Sequence, residues 1–346
     1  MTDSDNKNIK RIEWIDCARG IGMILVIVGH TMSVLTPLQF YSRLTIYSFH
    51  MPLFFILSGL TLKPASDDKA FGKNIKRSFK HLMIPFLILF VINTIPYCLE
   101  YYQDLDLYDL ICIRLFTLIF ASPCRPVFFG LPCLSVGIIW FLSVLFLSRA
   151  LIDLINLKLG KKALVIISVI SLFAGYYLST FSFSLFFALD IVMTVFPLVV
   201  FGYFIRDWFS TIGNRWYYLI GFLFIWLLSV YLVYHFTGTH LEIGARRFPL
   251  FPVSYIAAVS GSLFVFILSI FICRFKYVSL PLCLVGKYSL YFLFAQSVDG
   301  MLSFIWDIPG NAAFKCLIRL AVDLCIVLLI IKVRSLRSCN KQLSTK

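Results

Sequence analysis

Charge is what this sequence has least of. Charged side chains make up 14% of its 346 residues and hydrophobic ones 60%, where a soluble globular chain carries about 25% charged residues. That scarcity excludes a single water-soluble core, which cannot hide so large an apolar excess. Acidic residues are scarcer than basic ones, 17 against 31, for a formal net charge of +14. In a soluble protein such an imbalance points to nucleic acid. Here the basic residues sit mainly in short connections between apolar runs, where they act as topology determinants, and no nucleic-acid partner is expected. Segments of about 10 residues with alternating polarity, which would mark a membrane β-barrel, are missing. So are low-complexity stretches, internal repeats and a separate soluble domain. No Cys-x-x-Cys occurs among the 10 cysteines, most of which are scattered through apolar runs and read as buried thiols behaving as small hydrophobes. Cys124 and Cys133 flank a loop and can pair if that loop is oxidised. No small-residue cleavage site follows the first apolar run, so that run reads as a retained membrane helix rather than a removed signal peptide.

What is present is a succession of apolar runs near the spanning length of about 20 residues. The fold class expected is all-α, a polytopic transmembrane helical bundle in a lipid bilayer. About ten spans lie near residues 18–37, 43–62, 82–102, 134–156, 163–181, 184–204, 216–236, 251–273, 280–303 and 312–333. Residues 1–17 form a tail, 18–333 the membrane domain and 334–346 a basic tail. With the N-terminus in the cytoplasm, the inner segments hold 22 Lys and Arg and the outer connections five, so the positive-inside rule places both termini in the cytoplasm. Two outer connections are long. Residues 103–133 hold an apolar stretch too short to span, an interfacial or re-entrant helix. Residues 237–250, "TGTHLEIGARRFPL", concentrate His240, Glu242, Arg246 and Arg247.

The first run, "RIEWIDCARGIGMILVIVGH", carries Arg19 at its mouth and His30 within it. Eleven residues at about 100° each bring the two to within about 20° around the helix, about 16 Å apart along it. An ionisable side chain at the depth of His30 normally faces a bundle interior or a wet cavity. Taken singly, His30 also reads as an interhelical hydrogen-bonding residue and Arg19 as a snorkelling charge. The second run, "YSFHMPLFFILSG", places His50 within about one helical turn of the depth of His30. Pro52 suits a helix start or a kink there. Two imidazoles at one depth suggest a polar site inside the membrane. A third metal ligand is not apparent, so no metal is expected.

The pattern D-x-x-R-G-x-x-x-x-x-V-x-x-x-H in Asp16–His30, followed by "FHMPLFFILSG" in Phe49–Gly59, resembles the acyltransferase 3 family of membrane acyltransferases, leaning toward its fucose O-acetylase-like branch. "WFLSVLF" at Trp140–Phe146, "FPLVVFGYFIRDW" at Phe196–Trp208 and "GKYSLYFLFAQ" at Gly286–Gln296 extend the resemblance over nearly the whole chain. Family members often end the last of these segments with a histidine; here Ala295 and Gln296 occupy that region.

The resemblance implies an O-acyltransferase of a bacterial inner membrane. It would move acetyl, from acetyl-CoA as acyl donor, to a hydroxyl of an extracytoplasmic or lipid-linked saccharide. The residues fit that chemistry. Arg19 and the basic loop residues Lys73, Lys76 and Arg77 are placed to hold the nucleotide phosphates, arginine by a bidentate fork. The pantetheine arm, roughly 15–20 Å on the scale of the helix rise, would bring the thioester to His30. A neutral histidine suits the base for a sugar hydroxyl, and an acyl-histidine step is the alternative. His50 is read as orienting His30 or binding the acceptor. Trp140, Glu242, Arg246 and Arg247 are candidates for contact with the acceptor glycan or glycolipid. His81, His235 and His240 receive no catalytic role. Asp16 pairs with Arg19 or caps the helix, and Ser58 with Gly59 permits close helix packing. The competing reading is a transporter of a polysaccharide precursor or small molecule, with Asp190 and Asp323 as its intramembrane carboxylates; no two-half symmetry supports it.

Overall fold

Glu13 and Asp16 stand in the first turn of the first apolar run, where the positive end of the helix dipole favours acidic side chains. The run behind them is helical to Thr31, forming α1 (Glu13–Thr31). The computed structural model describes residues 12–31, 36–101, 106–124, 127–128, 131–132, 134–181, 183–211, 216–301 and 312–343, and these are nearly all helical. After α1 come α2 (Pro37–Tyr47), α3 (His50–Leu60), α4 (Asp68–Ser78), a π-helical turn over Phe79–Met83, α5 (Ile84–Tyr101) and α6 (Leu107–Phe120). The short strands β1 (Val127–Phe128) and β2 (Leu131–Pro132) pair antiparallel. Then follow α7 (Trp140–Lys158), α8 (Gly160–Ser179), α9 (Leu189–Thr211), α10 (Trp216–Thr237), α11 (Val253–Ile272), α12 (Lys276–Lys287), α13 (Ser289–Met301) and α14 (Ala312–Leu343).

Among the described residues, seven helices are long and apolar enough to cross a membrane, or eight when α12 and α13, bent by 66°, count as one span. The protein is multi-pass, with fewer such helices than the ten or so apolar runs. The run over 43–62 is two helices, not one. Pro52 has no N–H for the Ser48 carbonyl, and its ring would clash with that carbonyl. The helix is therefore interrupted at Ser48–Phe49, with Phe49 at φ −141°. The Trp226 indole N–H donates to Ser48 Oγ at 2.9 Å and pins the break. The last run lies inside α14, a helix of 32 residues, and carries Lys315, Arg319 and Asp323, which dilute its apolar stretch. The connection over 103–133 contains α6, 14 residues long and too short to span, as expected of an interfacial or re-entrant helix.

Fully buried phenylalanines, Phe55, Phe196, Phe266 and Phe292 among them, fill the centre, while Val91, Ile95, Phe224 and Tyr231 point outward. Such an outward apolar surface is stable against lipid and costly against water. α1 packs along α12 and also against α11 and α3; α3 packs along α9. Both main crossings are made by reciprocal glycines. A methyl group at Gly20 would overlap the Leu282 carbonyl and one at Gly286 the Asp16 carbonyl, while Gly59 meets the Val199 carbonyl and Gly202 the Ile56 carbonyl. Small residues let membrane helices approach backbone to backbone. Gly286→Ala is therefore expected to destabilise the bundle by about 1–3 kcal/mol, as overpacking does. It would appear as a lower thermal transition of the detergent-purified protein; an unchanged transition would mean that the crossing has slack.

Candidate active site

Arg19, Met23, Val26 and His30 recur every three or four residues on α1 and so share one face. All four line a single cavity of about 540 Å³. α3 contributes His50, Phe54, Ser58 and Thr61 at the same spacing, and α7 contributes Phe141, Leu145 and Arg149. The cavity thus follows the length of α1, with polar groups gathered at its two ends and apolar side chains between.

At the first end, Arg19 Nη1 lies 3.3 Å from Asp16 Oδ1. The Arg149 guanidinium donates to Ser58 Oγ at 3.1 Å and stands within electrostatic range of Arg19, Arg77 and Asp153. Asp153 is occupied with the backbone N–H of Ala65 at 3.1 Å and the Asn74 amide at 3.0 Å. Two guanidiniums therefore face the same end of one cavity. His81, from the π-helical turn, also lines it. Lys73, Lys76 and Arg77 are exposed on α4 and do not line the cavity. A 2.7 Å ion pair between Lys158 and Asp68 ties that helix to α7.

At the second end, Tyr47 is the centre of a histidine cluster. Its ring centroid lies 6.2 Å from that of His30, 4.9 Å from His50 and 5.4 Å from His240, each in an edge-on arrangement. The matched depth of His30 and His50 read from the sequence is realised across this tyrosine. His50 Nδ1 lies 2.9 Å from the Ile46 carbonyl oxygen. A carbonyl only accepts, so Nδ1 carries the proton and Nε2 keeps its lone pair. The break before α3 makes this bond: His50 opens the new helix and turns back to the last turn of α2. His50 is buried, whereas His30 is accessible within the cavity. Trp140 and Glu242 also line this end.

A family model described as "Acyltransferase domain" matches residues 12–330, nearly the whole chain. The chain belongs to the acyltransferase 3 family. No curated protein and no solved structure matches it. Family membership makes the protein an acyltransferase, and a membrane acyltransferase must bring an acyl donor and an acceptor together at its bilayer.

In this acyltransferase the three charged residues of the 237–250 loop part company. Glu242 reaches the cavity. Arg247 stands behind it, 3.5 Å from its carboxylate, and does not line the main cavity. Arg246 turns away: its guanidinium lies 2.9 Å from the buried carboxylate of Asp190 and also donates to the Phe183 carbonyl. It latches the loop to α9 and has no access to an acceptor. Asp190, the transporter reading's candidate carboxylate, is consumed by the same pair. His240 lies 3.9 Å from Glu242, and burial pushes its pKa down, so it is neutral at neutral pH. Cys124 lines the cavity, but burial pushes its thiol up, which keeps it from acting as a thiolate nucleophile. Its thiol donates to the Gly244 carbonyl at 3.2 Å. Its candidate partner Cys133 lies outside the described residues.

Four features escape sequence reasoning. Arg149 continues the i, i+4 stripe of Phe141 and Leu145 on the Trp-Phe-Leu helix, a signal that was available. Arg319, deep in the last apolar run, lies 2.5 Å from the buried Asp299 and donates to the His30 carbonyl and Thr31 Oγ1, each at 3.4 Å. It fixes the end of α1 that carries His30; an arginine inside an apolar run is itself a cue. Gln296, where relatives often have histidine, donates to buried Asp323 at 2.7 Å. Among the described residues, one group has its ligand atoms close enough together that it could hold a metal: the sulfurs of Cys17, Cys273 and Cys283 lie within 4.8 Å of one another. These thiols lie scattered in the sequence, and none of them lines the cavity.

Proposed function

We propose that this protein transfers acetyl from acetyl-CoA, bound at the Arg19 end of the cavity, to a hydroxyl of a saccharide that enters at the Glu242 end, with His30 as the base. The observation that carries this reading is one cavity lined by Arg19 and Arg149 at one end and by His30 and His50 at the other. Guanidiniums in a partly desolvated site bind phosphate oxygens strongly. The eleven residues between Arg19 and His30 span about 16 Å, the scale of a pantetheine arm, and the side chains between them suit its slim, mostly apolar body. A saccharide acceptor is the class implied by the resemblance to the fucose O-acetylase-like branch.

The chemistry follows from the two imidazoles. The acceptor hydroxyl gives its proton to His30 as its oxygen attacks the thioester carbonyl carbon. The C–S bond breaks, and the departing thiolate takes the proton back from His30. His50, with its lone pair held on Nε2 by the Ile46 bond, accepts from a neighbouring hydroxyl and selects which oxygen faces His30. Apolar walls exclude competing water, which would hydrolyse the thioester.

The charge distribution orients the reaction: the 63–81 loop is basic and the positive-inside rule puts it in the cytoplasm, where acetyl-CoA is made. Labelled acetyl-CoA supplied to inverted membrane vesicles is expected to transfer label to endogenous saccharide, while the same donor outside sealed right-side-out vesicles is not used. A cysteine placed at position 240 should react with an impermeant thiol probe in intact cells, and one at position 70 only after lysis. Absence of label transfer from inverted vesicles would reject the acetyl-CoA reading. Reversed labelling of the two cysteines would detach Arg19 from the donor.

A further inference from the structure

A second cavity, of about 340 Å³, lies beside the first and is lined by Phe40, Arg43, Leu44, His240, Glu242 and Arg247. Glu242 lines both cavities, so the two share a wall. The cations do not cancel. Arg247 is paired with Glu242 at 3.5 Å, which leaves the charge of Arg43. Among the described residues no carboxylate lies within ion-pair distance of Arg43. Its guanidinium carbon sits 4.9 Å from the Tyr47 ring centroid, the ring shared with the histidine cluster. Arg43 Nε is buried and has no hydrogen-bond partner. His240 Nε2 is likewise buried without a partner; at 3.9 Å from Glu242 it is beyond hydrogen-bond range. Unpartnered buried nitrogens in two residues of the wall are an energetic cost, and the lining as a whole sets two guanidiniums against one carboxylate, an excess of positive charge that a bound oxyanion would offset. Phe40 and Leu44 supply an apolar wall of the kind that packs on the C–H face of a sugar.

We infer that this second cavity binds an oxyanion of the acceptor, so that the acceptor is an acidic saccharide whose negative group lies against Arg43 and Arg247 while its reactive hydroxyl passes Glu242 to reach Tyr47, His30 and His50. The inference rests on the proposal that the acceptor enters at the Glu242 end. A neutral sugar would leave the Arg43 cation uncompensated and gain nothing from the planar fork, which matches carboxylate and phosphate geometry. The same oxyanion chemistry is offered by the carboxylate of an acidic sugar and by the phosphate of a phosphorylated or lipid-linked one.

Calorimetric titration of the full-length, detergent-purified protein with methyl β-D-glucuronide, glucose 1-phosphate and methyl β-D-glucoside tests the inference. At least one anionic probe is expected to bind ten times more tightly than the neutral glucoside or better, and the tighter of the two identifies carboxylate or phosphate as the group recognised. In Arg43→Gln the preference should fall below twofold, with Arg247→Gln as the second variant should the first not elute as a monodisperse species. Coenzyme A, titrated separately, should bind both variants as it binds the unaltered protein. Equal binding of anionic and neutral probes, or a preference that survives in Arg43→Gln, overturns the acidic-acceptor inference. Failure of coenzyme A to bind the unaltered protein would instead count against the donor reading, whatever the sugar preference.

Discussion

His30→Ala is expected to lower acyl transfer by roughly 10²- to 10⁴-fold, the range that a positioned proton acceptor contributes, with the protein still inserted at normal levels. His30 is accessible within the cavity, so its removal opens space without unseating a packed neighbour, and α1 remains held by Arg319 and by its glycine crossing. Donor binding should persist, because the guanidiniums stand about 16 Å away along the helix. The measurement is label transfer in membranes, together with coenzyme A affinity of the purified variant. His50→Ala provides the contrast. His50 is buried and proposed to hold a second hydroxyl, so its loss should raise the acceptor KM and scramble the position of acetylation more than it lowers kcat. If His50→Ala removes turnover while His30→Ala affects only acceptor affinity, the two roles are exchanged. Full activity of His30→Ala would end the assignment.

The second large effect is expected at Arg149. Arg149→Gln should weaken acetyl-CoA affinity by about 10- to 100-fold, the equivalent of the 1.5–3 kcal/mol typical of a hydrogen bond to a charged group. Glutamine keeps a polar donor at the position while the charge is lost. Arg19→Lys should have a smaller effect in the same direction, since lysine keeps a point charge but not the fork. Titration with coenzyme A and with a 3′,5′-ADP fragment separates phosphate recognition from recognition of the arm. Unchanged affinity for both ligands in Arg149→Gln would leave Arg149 a structural partner of Ser58 only.

The parts of this site that are legible in the sequence are those set within a single helix. Arg19, Met23, Val26 and His30 share a face because the helical period says so, and the Asp16 partner of Arg19 is three residues away. The break before His50 is announced by Pro52. What is not legible depends on how distant segments register against each other. Arg149 meets Ser58 across 91 positions of sequence, and Arg246 is withdrawn from the cavity by Asp190, 56 positions earlier. Arg319 reaches the His30 carbonyl across 289. A charge in a loop reads alike whether it faces a substrate or a buried carboxylate; the difference lies in which helix end the loop folds over. The two-helix form of the 43–62 run and the charge within α14 are hidden for a related reason: apolar length does not reveal a proline break or how much charge an apolar run tolerates.

The reciprocal glycines sit directly beside the groups at one end of the cavity, Gly20 next to Arg19 and Gly59 next to Ser58. Any side chain there collides with a partner backbone, so α1 is held on α12 beside Arg19, and α3 on α9 beside Ser58. The opposite end also takes Tyr47 from the close of α2 and Glu242 from a loop, positions outside both glycine crossings, where a substitution re-aims a side chain without moving a helix. If the proposed assignment of the two ends holds, a lineage descended from such a scaffold is free to change what it decorates while keeping what it spends to do so.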